Sequence, residues 1–387
     1  MERIYLDNAS TSFPKAPGVA EAMYDYVKNC GCNVSRGGYD EAYQAEEAVL
    51  DARQRLTRLF HGPDCRNVAF TKNITESLNV LLKGLLHTGG HVLVSAMEHN
   101  AVMRPLQQLA AQGVAFDRVP CKPDGSLCTE ELEKLLRPET RAVVMLHGSN
   151  VCGTLLPAAE VGAFCHAHGL LFILDTAQTA GAFPIDMEAM HIDALAFTGH
   201  KGLLGPQGIG GFLLRPELAG QMEPLLSGGT GSVSHLETVP PFMPDRFEAG
   251  TLNLPGIMGL RAALIWLEEQ GIDAIRRHEL ALTRQFLAGL RDIPRLRAVG
   301  RQDTENRAAV VSVAAEGIDP AFLADALGRE YGVLTRVGLH CAPNAHKTLG
   351  TYPTGTVRFS FGPWNTAQQV DAALAALREL SGRDTWS

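Results

Sequence analysis

The sequence predicts an α/β fold: a large domain on a mainly parallel central sheet, then a smaller α+β domain at the carboxyl end. Three observations carry this. Short apolar runs alternate with amphipathic helical stretches through the first two-thirds of the chain. The runs are continuous rather than alternating, which suits strands covered on both faces. At 387 residues the chain also exceeds one typical core. We expect the large domain over 15–255 and the small domain over 256–387, with residues 1–14 packing near the small domain and the functional site.

The expected strands are Asn67-Val-Ala-Phe-Thr71, His91-Val-Leu-Val-Ser95, Arg141-Ala-Val-Val-Met-Leu146, Leu170-Leu-Phe-Ile-Leu174, Ala194-Leu-Ala-Phe197 and Gly210-Gly-Phe-Leu-Leu214. Helical patterns over 76–86, 101–112, 129–136 and 157–168 separate them. A loop region rich in Gly and Pro spans 227–232 and 239–244. One helical stretch from about 255 to 285 then leads to strands at 308–313 and 356–361. An amphipathic helix over 366–380 closes the chain, with Asn365 or Thr366 as its cap.

A formal net charge of −8 gives no footing for nucleic acid or an anionic membrane surface. No apolar run approaches the length of a bilayer span. The first residues, Met1-Glu-Arg-Ile-Tyr-Leu-Asp7, lack the basic flank and apolar core of a signal peptide, so a cytoplasmic protein is expected. Eight cysteines are scattered at 30, 32, 65, 121, 128, 152, 165 and 341 with no Cys-x-x-Cys pair. That argues against a disulfide framework and against a zinc site.

In parallel sheets ligands collect beyond the carboxyl ends of the strands, so those ends carry the chemistry. The last of them reads Thr198-Gly-His200-Lys201, and the one before it Asp175-Thr-Ala-Gln178. A lysine there forms an imine with an aldehyde cofactor, and a carboxylate pairs with a protonated pyridine nitrogen. These are the two anchors of pyridoxal phosphate. Thr75 can cap a helix whose N-terminus takes a phosphate, or simply cap it. His99 can stack on a flat ring and move protons, and Asn150 can donate to a carboxylate or a cofactor oxygen. Gln178 can reach the ring's phenolic oxygen, and Thr198 and His200 can bind phosphate. A competing dinucleotide motif at Gly208-Ile-Gly210 fails, because position 213 is leucine and a strand follows rather than a helix.

These motifs resemble the class V aminotransferase superfamily of fold-type I pyridoxal phosphate enzymes, and within it cysteine desulfurases and selenocysteine-lyase-like relatives. The resemblance rests on Tyr5-Leu-Asp-Asn-Ala-Ser-Thr11, Asn33-Val-Ser-Arg-Gly37, the Asp175 and Lys201 segments, Arg246-Phe-Glu-Ala-Gly-Thr251 and Arg336-Val-Gly-Leu-His-Cys341-Ala-Pro343. It covers nearly the whole chain. It implies a fold-type I PLP-dependent transferase in which Lys201 holds the aldehyde of pyridoxal 5'-phosphate and moves protons. His99 would stack on the ring, Asp175 would pair with its nitrogen and Gln178 would touch its oxygen. Thr75, Thr198 and His200 would hold the phosphate. Thr251 would reach the cofactor of a second subunit, which implies a homodimer with shared sites.

By the same resemblance, Asn150 and Arg358 would bind the substrate carboxylate near the backbone of Ala9, and Arg336 would orient the loop bearing Cys341. That loop's Gly, His and Pro residues suggest mobility and access, and His340 and Arg336 could favour a thiolate. The implied reaction converts L-cysteine to alanine, with Cys341 taking the sulfur as a persulfide for an acceptor protein. An iron–sulfur scaffold, a sulfurtransferase and an RNA-thiolation partner all remain open as acceptors. Selenocysteine lyase and a transaminase that leaves Cys341 idle are the alternative activities, and a non-catalytic cofactor-binding protein is the alternative class. Leu339, where relatives often carry histidine, and Leu252, where many carry proline, depart from the pattern.

Overall fold

A computed structural model describes residues 3–34, 37–86 and 89–383. Ser35 and Arg36, inside the motif expected at 33–37, lie outside the described residues. The chain opens with a short strand, β1 (Ile4–Tyr5), the helix α1 (Val19–Asp25) and the long helix α2 (Asp40–Phe60). Next come β2 (Val68–Thr71), α3 (Ile74–Leu85), β3 (Gly90–Ser95), α4 (Asn100–Ala110) and β4 (Val114–Val119). The short helix α5 (Leu132–Leu135), β5 (Thr140–Leu146), α6 (Ala158–His168), β6 (Leu171–Asp175), β7 (Ala194–Thr198) and β8 (Gly210–Leu214) complete the large layer.

These strands form one seven-stranded sheet in the order β2-β8-β7-β6-β5-β3-β4. β8 is antiparallel to both its neighbours, and the remaining pairings are parallel. The reversal has a simple cause. A parallel return needs a crossover of a dozen or more residues, usually a helix, and the loop from Gly199 to Ile209 supplies none. The other six strands deliver their carboxyl ends to one edge. The expected strands are all present to within a residue or two. β4 escaped the sequence reading because it is an edge strand whose middle residues Ala115, Phe116 and Asp117 are only partly buried and whose Arg118 is exposed.

The helix expected over 255–285 is two helices, α7 (Leu254–Gln270) and α8 (Ile272–Leu290), parted at Gly271 with φ +78°. A side chain is strained at that angle, so glycine marks the break. Likewise 129–136 is a 3₁₀ turn over Thr129–Glu131 and then α5, rather than one helix. α7 packs on α1 and α2, burying Ile257, Leu260, Ala263 and Leu264 in the core beneath the large sheet. We therefore propose that the large unit extends through α7, past the division expected at 255.

The remaining elements are β9 (Leu296–Val299), β10 (Val310–Ala315), α9 (Pro320–Tyr331), β11 (Val333–Leu334), β12 (Arg336–Gly338), α10 (Pro343–Thr348), β13 (Thr356–Ser360) and α11 (Ala367–Ser381). A four-stranded antiparallel sheet, β12-β13-β10-β9, shares its core with α8, α9 and α11. Thr366 caps α11 in a reciprocal box with Gln369, one of the two caps expected. β1 runs parallel to β11, and Asp7 bridges Ser360. The amino-terminal segment is thus stitched to the small sheet.

A buried ion pair ties α2 to the loop before α7. Arg53 Nη2 stands 2.6 Å from Glu248 Oε2, and Glu248 Oε1 accepts the Phe70 N–H at 2.6 Å. The other Arg53 nitrogen donates to the Val68 carbonyl. Truncating one partner strands the other charge in a site that both now share. Glu248→Ala should therefore cost about 3–5 kcal/mol, read as a lower urea midpoint. An unchanged midpoint would show that the pair contributes nothing.

Candidate active site

Lys201 follows β7 through the turn Gly199-His200 and is half-buried. Burial pulls its ammonium down to about 8, against the opposing attraction of Asp175. Asp175 is the last residue of β6 and is 4% exposed. Burial raises its carboxyl, while the Ala177 N–H at 2.8 Å and Lys201 hold it down. β6 and β7 are parallel neighbours, so the acid and the amine leave adjacent strand ends on the same side.

His99 stands at the N-cap of α4, where its Nδ1 accepts the Ala101 N–H at 3.0 Å. In the neutral ring the proton therefore sits on Nε2. Burial, with Lys201 and Arg358 nearby, holds the imidazole down to about 4, so it is neutral at physiological pH. His200 is held to about 4 in the same way, by burial and then by Lys201 and Lys15. Its Nδ1 and the Thr198 hydroxyl are buried with no hydrogen-bond partner among the described residues.

Thr75 departs from its expected role. Asn73 caps α3 by accepting the Glu76 N–H, and Thr75 sits exposed in the first turn. The helix N-terminus still faces the same sheet edge, so the early N–H groups rather than a threonine cap make that position attractive to an anion.

The carboxylate-binding candidates form a lattice with the amino-terminal segment. Arg358, on β13 and 2% exposed, donates to Asp7 Oδ1 at 3.0 Å, to Ser10 Oγ at 2.7 Å and to the Asn150 carbonyl at 3.0 Å. Its Nε and the Asn150 Oδ1 have no partner among the described residues. Arg336 lies directly across the strand pair from Arg358 and donates to Ser10 Oγ at 3.1 Å. Gln178 Nε2 donates to the Ala9 carbonyl at 3.1 Å, and both residues line a cavity with Lys201.

Cys341 is exposed, yet its backbone is anchored. Its carbonyl accepts the Asn100 N–H at 2.8 Å, and the His340 carbonyl accepts Asn150 Nδ2 at 2.7 Å. Both residues are left-handed, with φ +47° at His340 and +56° at Cys341. The turn is backbone-pinned and strained, and it lies against the first residue of α4. The His340 ring points away from solvent, 3.1 Å from Thr356 Oγ1, and burial holds it down to about 2. A ring that stays neutral offers no charge to a thiolate, so that expectation is corrected. Arg336 likewise engages Ser10 rather than the Cys341 turn.

Thr251 is not gathered with the others. It is exposed and lines two adjoining pockets, with Asn33, Leu50 and Arg53 in one and Lys72, Leu225 and Leu226 in the other.

Three contributors were missed in the sequence. Lys15 Nζ donates to Thr11 Oγ1, Ser12 Oγ and the His200 carbonyl at 3.0–3.2 Å, clamping the amino-terminal segment to the Lys201 turn. Asp7 holds Arg358. Glu98, buried and pushed up to about 8, takes the Leu146 N–H at 3.0 Å and ties the end of β3 to that of β5. Asp7 lay within a quoted motif and Glu98 beside His99, but no spacing rule links them to partners far along the chain.

The whole constellation fits a flat, anionic aldehyde with an attached amino acid. The unpartnered Thr198 Oγ1 and His200 Nδ1 suit phosphate oxygens, and Arg358 Nε suits a carboxylate. Comparison with known proteins agrees. A family model described as aminotransferase class-V matches residues 4–373. The chain is 33% identical to a probable cysteine desulfurase of Methanothermobacter thermautotrophicus, over 98% of this chain and 95% of that one. It is 36% identical to one of Halobacterium salinarum, over 97% and 91%. Its fold matches the apo structure of a cysteine desulfurase from Thermococcus onnurineus with a TM-score of 0.91 and 32% identity, over 98% of this chain and 94% of that one.

Proposed function

The chain belongs to the aminotransferase class-V family and is a cysteine desulfurase within it; from that premise we propose that Lys201 and Cys341 divide the chemistry between them. The observation that carries this is a lysine whose ammonium is lowered by burial and feels the Asp175 carboxylate, together with an exposed cysteine whose backbone is bonded to the residue after His99.

Bound pyridoxal phosphate would supply an aldehyde that joins the substrate amine and a ring that draws electrons from its α-carbon. Lys201 would hold that aldehyde, Asp175 the ring nitrogen and Gln178 the neighbouring oxygen, with His99 against the ring face. Thr198, His200 and the N-terminus of α3 around Thr75 would hold the phosphate. Arg358, with Asn150 and the Ala9 backbone beside it, orients the substrate carboxylate, and Arg336 closes the same side through Ser10. The Arg358 guanidinium is already aligned by Asp7, so little reorganisation accompanies binding.

The Lys201 amine then takes the proton from the substrate α-carbon. The Cys341 thiolate attacks the substrate sulfur: an S–S bond forms, the carbon–sulfur bond breaks, and its electron pair stays with the carbon skeleton. Protonation of the β-carbon and return of the α-proton from Lys201 give alanine, and Cys341 is left as a persulfide. An exposed persulfide suits transfer to an acceptor protein. A second copy of the chain would present its Thr251 to the phosphate; the exposed Leu50, Leu225 and Leu226 around Thr251 are the apolar surface such a dimer would cover. Eight free thiols suit a reducing, cytoplasmic setting. Among the described residues no helix is long and apolar enough to cross a membrane.

Purified protein supplied with pyridoxal phosphate, L-cysteine and an excess thiol should release alanine and sulfide in equal amounts. Amino-group transfer to a 2-oxo acid without sulfide would overturn the assignment.

A further inference from the structure

One nucleophilic pair has no part in this chemistry. Cys30 ends the π-helical turn Tyr26–Cys30, and Gly31, at φ +60°, turns the chain so that Cys32 comes back beside it. The two Sγ atoms stand 3.3 Å apart, and both are half-buried. Both also face the Glu41 carbonyl, Cys32 at 3.3 Å and Cys30 at 3.8 Å. The Tyr26 hydroxyl donates to the Cys32 carbonyl and holds the turn in place.

That separation is shorter than ordinary non-bonded contact, about 3.5–4.0 Å even between carbons. Residues two apart cannot have Cα atoms more than about 7 Å from each other, close to the upper end of the span that a disulfide bridges, about 4.4–6.8 Å. Glycine between them removes the side chain that would resist closing so small a ring.

We propose that Cys30 and Cys32 are a modification site: a dithiol that low-molecular-weight disulfides oxidise to an intrachain disulfide and dithiols reduce again. In the first step the Cys30 thiolate attacks one sulfur of the disulfide, and a thiolate leaves. Cys32 then loses its proton and attacks Cys30 Sγ, and the second thiolate leaves. The protein gives up two electrons and two protons, and one small disulfide becomes two thiols. Burial and the hydrogen bond between the two thiols raise the Cys32 thiol above its ordinary range, which suits the later, resolving role. The pair adjoins Asn33 and Val34, which line the Thr251 pocket, so closing the ring acts on that pocket's wall.

The test exposes the native protein to glutathione disulfide at neutral pH, blocks free thiols with N-ethylmaleimide and digests with trypsin. Peptide 29–36 should appear unalkylated and two hydrogens lighter than its dithiol form, and should become doubly alkylated after dithiothreitol. In Cys32→Ser the same peptide should trap one glutathione on Cys30. Cys341 reports separately, on peptide 337–347. Peptide 29–36 doubly alkylated after oxidation, carrying two glutathiones, or joined to another cysteine would overturn the proposal.

Discussion

Replacing Lys201 by alanine should lower alanine formation from cysteine by about 10²–10⁴-fold, the range that a positioned proton-transfer group contributes. The fold should be intact, because Lys201 occupies a turn rather than a packed apolar position, and near-parental urea unfolding would establish that. The second readout is chemical. Borohydride reduction should leave pyridoxal phosphate covalently attached to the parent and not to Lys201→Ala, as intact mass will show. The depressed amine adds a pH dependence with a definite sign. With a value of about 8, only about a tenth of the amine is unprotonated at pH 7 and about nine-tenths at pH 9. Attachment of pyridoxal phosphate to the apo-protein, followed by borohydride trapping, should therefore quicken as pH rises through 8 and slow below it. A Lys201→Ala protein that releases alanine at the parental rate removes Lys201 from the mechanism.

Much of this site could be read in advance because a parallel sheet does the sorting. Once strands end at Thr71, Ser95, Leu146, Asp175 and Thr198, the residues that follow must emerge on one edge. His99, Asn150, Asp175, Gln178 and Lys201 could thus be grouped without knowing a single distance. What escaped depends on packing between distant segments. Asp7 meets Arg358 and Lys15 meets the His200 carbonyl only because β1 pairs with β11 and lays the amino-terminal segment across the strand ends. Nothing local in those residues signals that. Local rules failed too where a neighbour competed better: Asn73, with its short amide at the position before the first turn, takes the cap expected of Thr75.

The Cys341 turn is the instructive case. Glycine, histidine and proline suggested an accessible segment with a charged neighbour; the segment is exposed at Cys341, but its backbone and the neighbouring ring are held by tertiary interactions. The carbonyls of His340 and Cys341 are fixed by Asn150 and Asn100, and burial keeps His340 neutral. The thiol is therefore delivered by backbone geometry. The strain of two successive left-handed residues, about 1–2 kcal/mol each, is stored at the residue we propose as the nucleophile.

That geometry makes Cys341→Ala a clean experiment. Alanine meets the same left-handed penalty as cysteine, and both anchoring bonds run through backbone carbonyls, so the turn should keep its shape and only the sulfur is lost. Sulfide and alanine release from cysteine should fall about 10²-fold or more, the scale at which a positioned reacting group acts. Borohydride trapping at Lys201 should be unaffected, which separates this defect from that of Lys201→Ala. In the parent, cysteine should leave an alkylatable persulfide on peptide 337–347 and nowhere else. If Cys341→Ala releases sulfide and alanine as fast as the parent, the thiol that the turn presents is not the group that takes the sulfur. The strained pair at 340–341 would then need another explanation.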